Sequence, residues 1–440
     1  MSVPSSRDKR ENAANNEDPL RALPEIYNQG YMGSPRLRFF AVRNDAADVE
    51  FEHRLCNSIL EYVEERYDSF VLILTHAGYQ RESSVPVVLL CAHSLSDADA
   101  REVTEIFNAT GCRVIRRLFC LEGRTESQFS NMTHMTKYQQ HPSPGSSIGP
   151  VGCDRASSMG PYVAFDGDDS VYSISVHHGL KDDAFPITET QDPPLIIQQP
   201  SSLDFNKYKA TLEHGLLRAT EGVRRNRRHQ DNLQTELDNL MSLDCKFGTV
   251  VASEFCAVMY EGHLINSDLC VIKAISERVG KNRLTLDNEP GWVLWHPRDN
   301  EGSLILSGSG RLELGTRVAK VGKATAATQG TVEFRYARAK LSGATDKYTS
   351  EFCVLSDDRL TRFSDAGDSG GAVVNETGEV VGMILGGTYG FPKMMEGHEA
   401  LGEVFFTYVT PWEFVAERVE LLVGKYPNLL VDSEGLEKYS

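Results

Sequence analysis

The sequence predicts an all-β barrel unit interrupted by a helical insertion and preceded by a small α/β domain. Three observations predict it. Residues 36–122 alternate strand-length apolar runs with amphipathic stretches. Residues 139–152, QQHPSPGSSIGPVG, have the Pro, Gly and Ser content of a linker. From about 161 onward, short apolar runs are separated by turn residues roughly every eight to twelve positions, the texture of barrels and sandwiches. The expected division is a disordered tail over 1–20, an α/β domain over 21–125, a linker over 126–160 and a β domain over 161–430.

In the first unit, RLRFFAV, SFVLILT, VPVVLLCA and CRVIRRLFC read as strands. FEHRLCNSILEYVEERY and SDADAREVTEIFNATG carry helical spacing, the second opened by Ser96 as cap with Asp97 and Asp99 in its first turn. Within the β unit, residues 205–243 lack proline and place Leu233, Leu237 and Leu240 on one helical stripe, so they read as a helical insertion. The Arg224-Arg225-Asn226-Arg227-Arg228 cluster inside it reads as a solvated face, with nuclear import or an acidic partner as the other reading.

Composition narrows the function. At 440 residues, 40 % hydrophobic and 24 % charged, the chain matches ordinary globular proteins. A net charge of −17 opposes a broad nucleic-acid surface, which needs clustered Lys and Arg. The first twenty residues contain no apolar run fit for a signal peptide, and no stretch approaches the roughly 18 apolar residues that span a bilayer. Nine scattered cysteines, several inside apolar runs, read as reduced thiols. An intracellular protein, cytoplasmic or nuclear, without nucleic-acid or membrane partners is expected.

The chemistry gathers at Gly367-Asp368-Ser369-Gly370-Gly371. A serine hydroxyl is a weak nucleophile, so acyl transfer needs a base for its proton and donors for the oxyanion that forms. Glycines permit a tight turn in which the amides of Gly367 and Ser369 converge while the Ser369 hydroxyl stays accessible. Apolar strands lie beyond it at Ala372-Val373-Val374 and Val380-Val381-Gly382-Met383-Ile384. An α/β-hydrolase elbow, which joins a strand to a helix, does not fit that context.

With its flanks Phe363-Ser364-Asp365-Ala366 and Ala372-Val373-Val374, this segment resembles the nucleophile segment of the chymotrypsin-like (S1-type, trypsin-like) serine proteases, in particular intracellular fungal and plant members without disulfides. Gly315 to Thr325 and Thr328 to Val332 are similar to the hairpin that opens their second barrel, and Phe405 to Pro411 to their closing strand. The resemblance covers roughly residues 165–425. It implies a double six-stranded β-barrel and a His, Asp, Ser order of catalytic residues.

Asp268, in Asn266-Ser267-Asp268-Leu269-Cys270-Val271-Ile272, matches the family's aspartate segment, although Leu269 and Cys270 depart from its usual Trp and Ala. An acid entering an apolar strand also needs a partner on physical grounds. Val171 to Leu180 matches the histidine segment and puts His178 on the catalytic position, with His177 on the opposite pleat. His93, in Cys91-Ala92-His93-Ser94, is a third candidate across the expected linker.

The resemblance therefore implies a serine endopeptidase that hydrolyses protein or peptide substrates through an acyl-enzyme and uses neither metal nor cofactor. Ser369, His178 and Asp268 would form the triad, and the amides of Gly367 and Ser369 the oxyanion hole. Phe363 would floor the substrate pocket, and Gly386 and Gly387 would wall it, favouring small or apolar side chains. Nothing near 161 resembles a cleavage site that would release an amino terminus to pair with Asp368. A catalytically inactive pseudoprotease, acting as an interaction scaffold, is the alternative.

Overall fold

The computed structural model describes residues 38–41, 44–78, 84–124, 133–181, 193–221, 227–286, 302–341, 347–356, 362–392 and 404–431. The expected tail over 1–20 and Arg224 to Asn226 of the basic cluster lie outside them. Arg227 and Arg228 are exposed.

In the N-terminal unit the chain runs through β1 (Arg38–Phe40), α1 (Asp45–Glu50), α2 (Cys56–Glu64), β2 (Phe70–Gly78), β3 (Val85–His93), α3 (Asp97–Ala109) and β4 (Arg117–Arg124). Ser96 caps α3 in a reciprocal capping box with Asp99. β2 and β3 are antiparallel, whereas β3 and β4 are parallel and joined through α3. Successive strand residues point to opposite faces. Leu72, Val88 and Cys120 accordingly pack on the helices beside Phe51 and Ile59, while Ile73, Leu89 and Phe119 face the other way.

The first barrel uses β5 (Ser147–Pro150), β6 (Ser157–Ser158), β7 (Tyr162–Phe165), β8 (Val171–Ser175), β9 (Ile196–Gln198), β10 (Lys246–Tyr260) and β11 (His263–Ala274). Pairing proceeds from β7 through β8, β11, β10 and β9 to β5. The run that begins as β6 closes the ring, because it pairs β5 at Ser158 and, continued as β7, pairs β8. Between β9 and β10 the helical insertion forms two helices, α4 (Ser202–Glu221) and α5 (Arg227–Ser242). Leu240 is buried, and the Leu233 side chain lies over Gly215 of α4.

Short strands β12 (Arg283–Leu284), β13 (Leu304–Ile305) and β14 (Gly308–Ser309) follow before the second barrel. That barrel comprises β15 (Arg317–Gly322), β16 (Ala326–Val332), β18 (Thr349–Ser356), β19 (Ala372–Val374), β20 (Glu379–Pro392) and β21 (Val404–Pro411), with β17 (Ala337–Lys340) added to β18. Its ladder closes in the order β15, β16, β18, β21, β20, β19 and back to β15. α6 (Trp412–Val423) ends at Gly424, whose φ of 79° suits glycine, and β22 (Pro427–Leu429) then returns to pair β7. The architecture is the expected double six-stranded, chymotrypsin-like barrel.

Two expectations about organisation need correction. Residues 139–152 are not a free linker: Ser146, Ser147 and Ile148 are fully buried and β5 is a barrel strand. The Ser147 hydroxyl is accommodated by hydrogen bonds to Ser201 Oγ and Asp204 Oδ2. Nor is the α/β unit tethered at one point. β2 pairs β17 and β4 pairs β20, so its sheet continues into the second barrel, and Ile73, Leu89 and Phe119 pack against Leu355, Leu385 and Phe406.

All nine cysteines are free thiols. Among the described residues no helix is long and apolar enough to cross a membrane.

Candidate active site

The antiparallel register of β8 and β11 pairs Ser175 with Cys270, which carries the chain beyond β8 past Asp268. The Asp268 carboxylate, 2 % exposed, meets that turn. Its Oδ1 accepts the backbone N–H groups of His177 at 2.7 Å and His178 at 3.1 Å. Its Oδ2 is hydrogen-bonded to His178 Nδ1. The buried acid thus has the partners its desolvation requires.

Alternation separates the two histidines. The His177 ring is fully buried, bonded through Nδ1 to Ser253 Oγ at 2.9 Å and stacked on Phe255 with ring centroids 5.8 Å apart. The His178 side chain is 42 % exposed and turned to a cavity. Burial pushes the His178 pKa down, but the charge and hydrogen bond of Asp268 outweigh it and leave the pKa above its ordinary value. His93 is exposed at the end of β3 and is not part of the cavity wall.

Ser369 reaches the same cavity from the loop before β19. Gly367 and Gly370 adopt φ values of 100° and 90°, the left-handed region that glycine occupies without strain. At Gly370 a Cβ would collide with the Ser158 carbonyl and the Ser175 hydroxyl. Ser158 N donates to Ser369 O at 2.9 Å, and the amides of Asp368, Gly370 and Gly371 are likewise satisfied. Among the described residues, the amides of Gly367 and Ser369 have no acceptor. Among the described residues, the Ser369 hydroxyl makes no hydrogen bond to His178.

The cavity measures about 500 Å³ and is walled by His178, Asp268, Gly367, Ser369, Gly386 and Gly387. Phe363 is a correction. It is 1 % exposed and packs inside the closed second barrel with Val332, Val354 and Val373, while its carbonyl accepts Thr328 Oγ1 at 2.6 Å. The next residue, Ser364, takes the place on the cavity wall, and its Oγ lies 2.7 Å from Thr407 Oγ1.

Sequence reasoning passed over several residues here. Asn266 stands two before Asp268 on β11, a spacing that puts both on one face, and it too lines the cavity. Lys320 and Lys323 sit in or beside an otherwise apolar strand and are nearly inaccessible. A lysine at an inward strand position was the available signal, since a buried ammonium requires a partner.

Among solved structures, Thermobifida fusca protease A is similar to this chain at 12 % identity, with a TM-score of 0.34 over 66 % of this chain and 97 % of that one. Cellulomonas bogoriensis chymotrypsin is similar at 12 % identity, with a TM-score of 0.33 over the same shares of 66 % and 97 %. No curated protein matches the sequence. The sequence pattern of peptidase family S64 matches residues 168–410, a span that runs from just before β8 to the end of β21 and takes in His178, Asp268 and Ser369. Because that match extends over more than half of the 440 residues, the chain belongs to peptidase family S64.

Proposed function

We propose that the protein is a serine endopeptidase that cleaves protein or peptide substrates through an acyl-enzyme, with Ser369 as nucleophile. The observation that carries this reading is the grip of Asp268 on His178 through both the backbone N–H and ring Nδ1, beside a cavity that also contains Ser369. An ionised carboxylate can only accept hydrogen bonds, so Nδ1 carries the ring proton and Nε2 of the neutral imidazole is free to act as base.

Ser369 Oγ attacks the scissile carbonyl as His178 Nε2 takes its proton, and His178 returns that proton to the leaving amine. Asp268 holds the tautomer and stabilises the imidazolium. The open amides of Gly367 and Ser369 receive the oxyanion. Water, deprotonated by His178, then releases the acyl group. Leu341, Leu385, Phe405 and Phe406 on the cavity wall favour a small or apolar substrate side chain, and Asp365 on the same wall is already paired with Arg362 at 2.9 Å. Nine free thiols support a reducing, intracellular compartment.

Reaction of the full chain with a fluorophosphonate probe tests this reading. Covalent labelling that is lost in Ser369→Ala is expected. A folded wild type that takes up no label would establish the inactive scaffold instead.

A further inference from the structure

The root of the inserted helical hairpin reaches the loop that bears Ser369 through one lysine. Asp204, in the first turn of α4, is 2 % exposed and faces inward. Its Oδ2 accepts Ser147 Oγ at 2.5 Å and Ser201 Oγ at 3.1 Å, and stands 3.1 Å from Lys323 Nζ. Lys323 follows β15 and is also 2 % exposed. Its stem lies flat against Gly367, so that a Cβ on Gly367 would collide with Lys323 Cε. Lys323 N donates to Ser158 Oγ at 3.0 Å, and Ser158 Oγ donates in turn to Gly367 O at 3.0 Å.

These contacts leave the Gly367 peptide little freedom. A glycine at a φ of 100° has no side chain of its own to resist rotation. Ser158 holds its carbonyl, and the Lys323 stem blocks the face of its Cα. That stem is stretched across Gly367 only while its ammonium is anchored, because a buried ammonium without a partner either loses its proton or moves to water. Asp204 is the anchor.

We propose that Asp204, at the root of the α4–α5 hairpin, is a positioning residue that acts through Lys323 to hold the open Gly367 amide in its oxyanion-binding orientation. The role deepens the serine peptidase reading and rests on it for its catalytic consequence, though the orientation of the loop can be measured without it. The insertion is then part of the catalytic scaffold: a helix outside the ladder of both barrels sets the geometry of a donor on the nucleophile loop.

The test compares the full chain with Asp204→Asn, which keeps the side-chain shape and the acceptor for both serines but removes the charge. Saturable fluorophosphonate labelling is measured at a temperature where melting curves show both proteins folded. A drop of about tenfold or more in the saturating labelling rate is expected, within the range a misplaced group can cause, with the half-saturating probe concentration unchanged. Hydrogen exchange at the hydrogen-bonded Asp368 and Gly370 amides on either side of Ser369 should also quicken. An unchanged labelling rate with only a lower melting temperature would overturn the proposal, because a purely structural pair changes stability and leaves the folded site intact. If Asp204→Asn does not fold, Asp204→Asn with Lys323→Ala leaves no unpaired buried charge and removes the stem from Gly367, and it is expected to show the same loss; a wild-type rate in that variant overturns the proposal. Should wild type take no label, the Ser369 reading fails separately, and exchange at the Asp368 and Gly370 amides alone decides: faster exchange supports the anchor, and unchanged exchange refutes it.

Discussion

Lys320 Nζ stands 2.9 Å from Asp368 Oδ2, and neither side chain is exposed to solvent. Asp368 also accepts Thr325 Oγ1 at 2.6 Å, Ala324 N at 2.7 Å and Asp365 N at 3.1 Å. Burial alone would raise the carboxyl pKa, but the Lys320 charge and these donors hold it below its usual range. Asp368, the residue before Ser369, is therefore neutralised by a lysine from β15.

Lys320→Met should leave Asp368 charged, buried and unpaired. Breaking such a pair costs about 3–5 kcal/mol, a large share of a typical folding free energy. The urea midpoint should fall accordingly, and labelling of Ser369 should be lost with it. A midpoint equal to that of wild type would mean the pair contributes little to holding the loop.

The two neighbouring histidines separate cleanly by substitution. His178→Ala should lower fluorophosphonate labelling at least about a hundredfold, because it removes the base. His177→Ala should chiefly cost stability through the lost stacking on Phe255 and hydrogen bond to Ser253, and His93→Ala should leave labelling intact. Asp268→Asn should be severe, on the order of 10⁴ in turnover, because an amide no longer dictates the tautomer. Labelling that survives His178→Ala but not His177→Ala would move the base by one residue.

The pH profile follows from the pKa direction at His178. Only the neutral ring accepts the Ser369 proton, so labelling should rise with pH through the His178 pKa, with its midpoint above the ordinary 6.5. The same raised value means that this group's stabilisation of the fold is full below 6.5 and is lost as pH rises through the folded value. A labelling midpoint below 6.5 would contradict the dominance of Asp268 over burial.

Glu351 on β18 is fully buried one hydrogen bond from the cavity wall: its Oε1 accepts both Asn266 N at 3.1 Å and Asn266 Nδ2 at 2.6 Å. Its Oε2 has no partner among the described residues. Burial outweighs these donors and pushes its pKa from 4.5 up to about 7. A raised folded pKa gives stability that is complete below 4.5 and disappears as pH climbs through 7. Glu351→Gln should therefore stabilise the protein at pH 8 by on the order of 3 kcal/mol and gain little at pH 4. Urea titrations at the two pH values measure the difference; an equal effect at both would show that Glu351 does not titrate as its burial implies.

That Ser369, Asp268 and His178 would meet at one cavity was legible because each sits in a short segment whose residue types serve one chemistry. The choice of His178 over His177 rested on the match of Val171 to Leu180 to the histidine segment; the structure turns His178 to the cavity and buries His177. Phe363 misled because it lies in a loop, where no period of two dictates which neighbour turns inward; Ser364 took the wall and Phe363 the barrel interior. The stretch around Ser147 was misread because composition measures apolar burial, whereas Ser147 is buried through hydroxyl contacts with Ser201 and Asp204. The pairing of Leu72 with Arg338 joins residues too distant in the chain for any local pattern to reveal.

The shared sheet makes the last prediction the reverse of what a flexible linker would allow. A fragment over 155–440 lacks β5, so β9 loses its barrel neighbour and the first barrel opens. It also lacks the sheet that covers Leu355, Leu385, Phe406 and Tyr408 on the second barrel. Re-exposing large apolar side chains costs roughly 1.5–3 kcal/mol each, so the four together approach the whole stability of a typical domain, about 5–15 kcal/mol. That fragment should aggregate or remain unfolded. A fragment over 133–440 restores β5 yet still exposes the second patch, and should melt well below the full chain. Co-expressing residues 38–124 as a separate chain should recover folding, since β2 and β4 can supply their edges to β17 and β20 without a covalent link. Circular dichroism melts of the three preparations check the ordering. A 155–440 fragment that melts with the full-length protein would show that the continuous sheet adds nothing to the barrels.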